Sequence, residues 1–198
     1  MATAEVPSSL APYFQKGVQA YTQGAHEYAI DLLSYVIKQA PDATEARRYL
    51  RLAVQKKYAK NPPSLITTLG LGLLTLPARL WAMLAQSTGQ EAQATQLYEW
   101  LLNITPRSPS LLTRLAATLM RRGMDDAAIQ TYEELLAIDA NHLPALRKLA
   151  RLTMKHGNDP QARHCFERIL KLKPTDVEAQ QSIRNLDALG TIKKGFSA

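Results

Sequence analysis

The chain has a single cysteine, Cys165, in 198 residues. A lone cysteine closes no disulfide within the chain and builds no cysteine-based zinc cage. That usage suits a reducing compartment, and a cytoplasmic location is the expectation. Glycine and proline, nine and eleven residues, are too sparse for a collagen or a low-complexity linker. The start, MATAEVPSSLAPYFQ, lacks a basic stretch followed by an apolar run, so no signal peptide is expected. A long apolar run is also missing. The longest uncharged stretch, 61–78, is interrupted by Pro62, Pro63, Gly70, Gly72 and Pro77. Its strongly apolar part, Leu65–Leu76, is shorter than the roughly 20 residues of a membrane-spanning helix.

Catalytic signatures are equally scarce. There is no glycine-rich phosphate loop, no nucleophile motif and no recognisable pair of carboxylates. His164 and Cys165 are adjacent, so on a helix they point about 100° apart. With His156 they would make only a poor metal site, and Cys165 reads better as a small buried hydrophobe before Phe166. No enzyme activity, no cofactor and no metal are therefore expected.

What the sequence does contain is a period. Gly89, Gly123 and Gly157 are 34 residues apart, and Gly24 precedes Gly89 by 34 plus 31. Seven residues before each glycine stands a small residue: Gly17, Ala82, Ala116 and Ala150. Five residues after stands Ala29, Ala94, Ala128 or Ala162, and nine after stands Leu33, Tyr98, Tyr132 or Phe166. Pro41, Pro106, Ala140 and Pro174 follow at seventeen. Leu112, Leu115, Ala116 and Leu119 recur at helical spacing, as do Ala128, Ile129, Tyr132, Leu135 and Leu136. Each glycine thus separates two amphipathic helices, at a place where a left-handed residue ends the first. Small residues on either side allow the two backbones to approach.

These columns resemble the tetratricopeptide repeat family, a helix–turn–helix unit of 34 residues. The resemblance implies an all-α, right-handed superhelical solenoid of about five helix pairs with a C-terminal capping helix. The organisation expected is a disordered 1–9, a repeat at 10–43, a degenerate repeat at 44–74, repeats at 75–108, 109–142 and 143–176, a capping helix at 177–190 and a frayed tail at 191–198. Lys16 stands where the later copies carry Trp81, Leu115 and Leu149, and Ala140 replaces the closing proline. In the degenerate copy, Ala46, Tyr49, Leu50, Ala53 and Val54 form the buried stripe of one helix. Residues 61–74 read as a short second helix or as a linker.

Function then rests on surfaces. The net charge is +7, and it is concentrated. Six basic residues face one acid in 44–74, and eleven face five in 143–198. In the family the first helix of each pair lines the concave surface, which implies a basic wall there. Its candidate partner-binding residues are Arg79, Arg114, Arg121, Arg147, Lys148, Arg151 and Lys155. Arg48, Leu52 and Lys56 would extend it. The function expected is that of a non-enzymatic adaptor or scaffold gripping an acidic partner protein or peptide through charge-assisted hydrogen bonds. The family's carboxylate clamp for a chaperone tail needs asparagines and lysines that Val18 and Ala117 do not supply.

The alternative is a peripheral membrane assembly factor using residues 65–76, beside Lys56, Lys57 and Lys60. Against it, Trp81 and Leu84 are expected to be core, with the earlier leucines covering an outer helix. A nucleic-acid-binding solenoid is disfavoured because Tyr98, Tyr132 and Phe166 fall on packing positions rather than on a stacking face. Self-association through open ends of the stack stays possible.

Overall fold

The computed structural model describes residues 6–60, 70 and 72–195. It divides into two compact units, residues 1–130 and 131–198. Among the described residues the regular elements are α-helices, and no strand is present. The fold is the all-α, hairpin-on-hairpin arrangement of a solenoid.

The first unit contains α1 (Ala11–Thr22), α2 (His26–Gln39), α3 (Thr44–Lys60), α4 (Leu76–Ser87), α5 (Glu91–Ile104) and α6 (Pro109–Arg121). Helix α7 (Asp125–Ile138) carries the boundary between the units. The second unit holds the rest of α7 with α8 (Leu143–Lys155), α9 (Asp159–Leu172) and α10 (Val177–Gly195). In the first unit α1 packs on α2, α2 on α3, α4 on α5 and α5 on α6. In the second, α8 packs on α9 and α9 on α10. The question of helix or linker at 61–74 falls largely on 61–69 and 71, which lie outside the described residues.

The turns show why the period exists. Gly24, Gly89, Gly123 and Gly157 have φ of +79°, +78°, +72° and +71°, the left-handed region that a side chain disfavours. After each of them the chain reaches back: Ala25 N–H donates to Ala20 O, and Met124 N–H to Leu119 O. Such a bond satisfies a carbonyl that the helix end would otherwise strand. The small residues earn their place at the helix crossing. A Cβ added to Gly17 of α1 would sit 2.9 Å from Cγ and Cδ2 of Leu33 in α2.

The large residues nine positions after the glycines fill the interior. Leu33, Tyr98, Tyr132 and Phe166 are buried, as is Cys165. In the first three helices the core gathers Leu10, Ala29, Leu33, Val36, Ile37 and Leu50. Full burial of one such leucine contributes roughly 1.5–3 kcal/mol. The stripe expected on α3 is buried at Ala46, Leu50, Ala53 and Val54, and half-buried at Tyr49.

One end differs from expectation. Helix α10 continues through Gly190 to Gly195, so its helical path includes residues assigned to a frayed tail. A glycine inside a helix costs about 1 kcal/mol relative to alanine. That penalty weakens a helix without obliging it to stop.

Candidate functional site

The cations singled out in the sequence fall in both units. In the second unit, Arg147, Lys148, Arg151 and Lys155 occupy successive turns of α8. They lie on one side of the helix because residues three, four and seven apart share a face. Lys148, Arg151 and Lys155 are exposed, and Arg147 is half-buried.

Two of them are already engaged by the start of α10. Arg147 donates from Nη2 to Asp176 Oδ2 at 2.7 Å and from Nη1 to Glu178 Oε2 at 2.5 Å. Arg151 donates from Nε to Glu178 Oε1 at 2.7 Å. Asp176 also accepts from Ala179 N–H at 3.1 Å, capping α10. That backbone bond, together with Arg147, holds its carboxyl below the usual carboxylate range. Partial burial works against ionisation of Glu178, but Arg151 and Arg147 outweigh it and hold this carboxyl low as well. The face therefore carries four cations, two of which pair with Asp176 and Glu178.

In the first unit the cations are tied in more closely. Arg121 of α6 donates to Glu91 Oε1 at 2.7 Å. Arg114 is half-buried beside Tyr98. Burial raises the Tyr98 hydroxyl, and the charge and hydrogen bond of Arg114 oppose that rise. Tyr98 donates to Gln86 Oε1 at 3.1 Å, and Gln86 Nε2 donates to Thr118 Oγ1 at 3.0 Å. Arg79 is half-buried, and its Nε is buried without a hydrogen-bond partner. Of the three arginines expected on an open wall, Arg79 and Arg114 thus sit against the body of the unit, and Arg121 is exposed and paired with Glu91. Arg48 stays exposed and pairs locally with Glu45.

Two features of this unit escaped sequence reasoning. The first is an ion triad. Arg47 and Arg51 of α3 are buried, and both reach Glu99 of α5. Arg47 Nε donates to Oε1 at 2.8 Å and Arg51 Nη2 to Oε2 at 2.5 Å. Arg47 also donates to Pro41 O at 2.6 Å. Burial alone would raise the Glu99 carboxyl, but Arg51 and Arg47 together hold it below its ordinary value. A single buried charge left without its counterpart is costly.

The second is an apolar face that stays in water. Trp81 and Leu84, expected as core, are 58% and 53% exposed. Leu80 is 65% exposed, and Leu73, Leu74 and Leu76 are exposed as well. Only Ala82 and Ala85 of α4 are buried, on the side that meets α5. The corresponding positions 34 residues on, Leu115 and Thr118 of α6, are fully buried. Helix α6 packs against the preceding α5, whereas among the described residues α4 has no such neighbour on that side. Pattern gave the right residues, but burial needed a neighbouring helix.

Beside this face lies a cavity of about 430 Å³. Trp81 and Trp100 stand at its walls, and Ile37, Leu50 and Leu97 line it. Trp100 is half-exposed. Lys38 and Glu99 are its charged lining residues. Asn103 also lines it, donating from Nδ2 to Ser34 Oγ at 3.0 Å while its Oδ1 is buried without a donor. No helix among the described residues is long and apolar enough to cross a membrane.

Comparisons with known proteins complete the picture. A family model described as tetratricopeptide repeat matches residues 126–186. No curated protein sequence matches the chain. Among solved structures, the P58(IPK) TPR domain superposes with a TM-score of 0.60 at 12% identity, covering 95% of this chain and 67% of that one. The first TPR of Spaghetti (RPAP3), bound to the HSP90 peptide SRMEEVD, gives 0.52 at 19% identity, over 59% and 93% of the two chains. MamA gives 0.50 at 17% identity, over 90% and 86%. At these identities the likeness is one of fold.

Proposed function

We propose that this chain, which belongs to the tetratricopeptide repeat family and is a protein-interaction module, holds an acidic segment of its partner on the cationic face of α8. The observation that carries the reading is the run of four cations along that face. Arg147, Lys148, Arg151 and Lys155 lie along one face of α8, where Asp176 and Glu178 pair with the two arginines. Arginine and lysine at such a face give charge-assisted hydrogen bonds to carboxylates and speed encounter with an anionic partner.

Arg79, Arg114 and Arg121 keep a smaller part in this reading, as basic residues of the first unit taken by itself. A structure of the same fold, the first TPR of Spaghetti (RPAP3), is bound to a peptide that ends Glu-Glu-Val-Asp. The action is binding without catalysis, and the location that goes with it is the cytoplasm.

The test separates charge from fold. The double variant Lys148→Glu, Lys155→Glu leaves the Arg147 and Arg151 pairs with α10 in place. Its affinity for a synthetic oligoglutamate peptide with both ends blocked should fall at least tenfold, with far-UV circular dichroism unchanged. The wild type should prefer that peptide over an oligoglutamine of the same length and lose the preference as salt rises. Equal affinity of the double variant and the wild type would remove this face as the site.

A further inference from the structure

The exposed face of α4 and the adjoining cavity lie wholly in the first unit, whereas α8 belongs to the second. We propose that they form a second docking site, for an amphipathic helix of a partner protein whose apolar residues are flanked by acids. The inference goes beyond the reading of α8 and stands or falls separately.

Three observations define the occupant. Its shape follows from the repeat. Trp81 and Leu84 stand at positions where α6 buries Leu115 and Thr118 against a preceding helix. A surface built to receive a helix is filled best by one, with leucine-like anchors spaced three and four residues apart. Its anchors follow from the cavity. About 430 Å³ between Trp81 and Trp100, above Ile37, Leu50 and Leu97, accepts large apolar side chains.

Its charge follows from the lining. Glu99 is neutralised by Arg47 and Arg51, so the lining adds Lys38 to a triad that is already positive on balance. Arg79 is the one charged residue between Lys60 and Glu91. A basic guest would meet like charge, whereas acidic flanks meet Lys38.

Both tryptophans of the chain line this cavity, so its intrinsic emission reports on the site alone. In the 198-residue chain at low concentration, acrylamide should quench that emission readily. The probe is a synthetic helix with leucine at four positions spaced i, i+3, i+4 and i+7 and glutamate on its remaining face. Adding it should shift the emission to the blue and protect it from quenching. By anisotropy of the labelled peptide, Trp81→Ala and Leu84→Ser should each weaken binding at least tenfold. Lys38→Glu should weaken it severalfold and flatten its salt dependence. Because Trp81 and Leu84 are exposed, both variants should keep the helicity of the wild type. The Lys148→Glu, Lys155→Glu variant should bind this probe normally.

Any of five results overturns the proposal. These are no binding of the probe; equal binding of a lysine-for-glutamate version; tryptophans already shielded in the dilute chain; a shift produced by phosphatidylcholine–phosphatidylglycerol vesicles but not by the peptide; or a shift that follows protein concentration with dimers in sedimentation. The last two would assign the face to a bilayer or to a second copy.

Discussion

Arg47 and Glu99 are 52 residues apart in the chain and 2.8 Å apart in the fold, joined inside the first unit where water does not reach. Arg51 joins the same carboxylate from the next turn of α3. The geometry welds α3 to α5, and Tyr58 reinforces it by donating to Ile104 O at 2.7 Å.

Removing the shared acid should therefore be severe. Glu99→Leu leaves two arginines buried without a counter-charge and should destabilise the first unit by about 3–5 kcal/mol. The triple replacement Arg47→Leu, Arg51→Met, Glu99→Leu should recover most of that loss, because apolar side chains of similar volume escape desolvation. Urea unfolding followed by tryptophan emission checks both. A triple variant as weak as the single one would show that the triad does more than balance charge.

The same carboxylate gives the first unit a dependence on pH. The folded pKa of Glu99 lies below its ordinary value. Its contribution is thus complete above the unfolded pKa of about 4.3 and is lost as pH falls through the lower folded value. Stability read by tryptophan emission should decline below pH of about 4, and the apolar triple variant should decline less. Equal slopes for the two would exclude Glu99 as the source.

Two glycines should fail for different reasons. Gly157→Ala places a Cβ where nothing lies within 4 Å, at φ +71°. Its cost, about 1–2 kcal/mol, is backbone strain alone. Gly17→Ala gains about 1 kcal/mol of helix propensity but drives its Cβ against the buried Leu33, an overpacking of about 1–3 kcal/mol. Adding Leu33→Val should relieve part of the second loss. If it relieves nothing, steric crowding at the α1–α2 crossing is not the cause.

Cys165 should be inert in the folded protein. Burial pushes its thiol up to about 11, so thiolate is scarce near neutrality. Reaction with a disulfide reagent at pH 8 should be at least about 100-fold slower than in denaturant, in line with a two-unit rise. A fast native reaction would mean that the thiol reaches solvent.

The columns around Gly89, Gly123 and Gly157 were legible in the sequence because turn chemistry and close helix crossing act locally. The apolar stripe of α3 was legible for the same reason. The burial of Arg47 and Arg51 was not. An amphipathic pattern assigns arginine to solvent, and their counter-charge lies on a distant helix. Trp81 and Leu84 misled in the opposite sense, since an apolar residue at a core position stays wet when no helix among the described residues covers it. The cations of α8 were found by pattern, but their pairing with Asp176 and Glu178 depended on where α10 begins.

Solenoid chains commonly change length by losing or copying a whole module, since each module asks only for greasy neighbours above and below. The Arg47–Glu99–Arg51 lock withdraws that freedom from the first unit. Excising or duplicating a hairpin there separates the arginines of α3 from the carboxylate of α5, leaving a bare ion in the interior. The number of hairpins in this part of the molecule is thereby fixed by electrostatics, whatever the tolerance of its oily contacts.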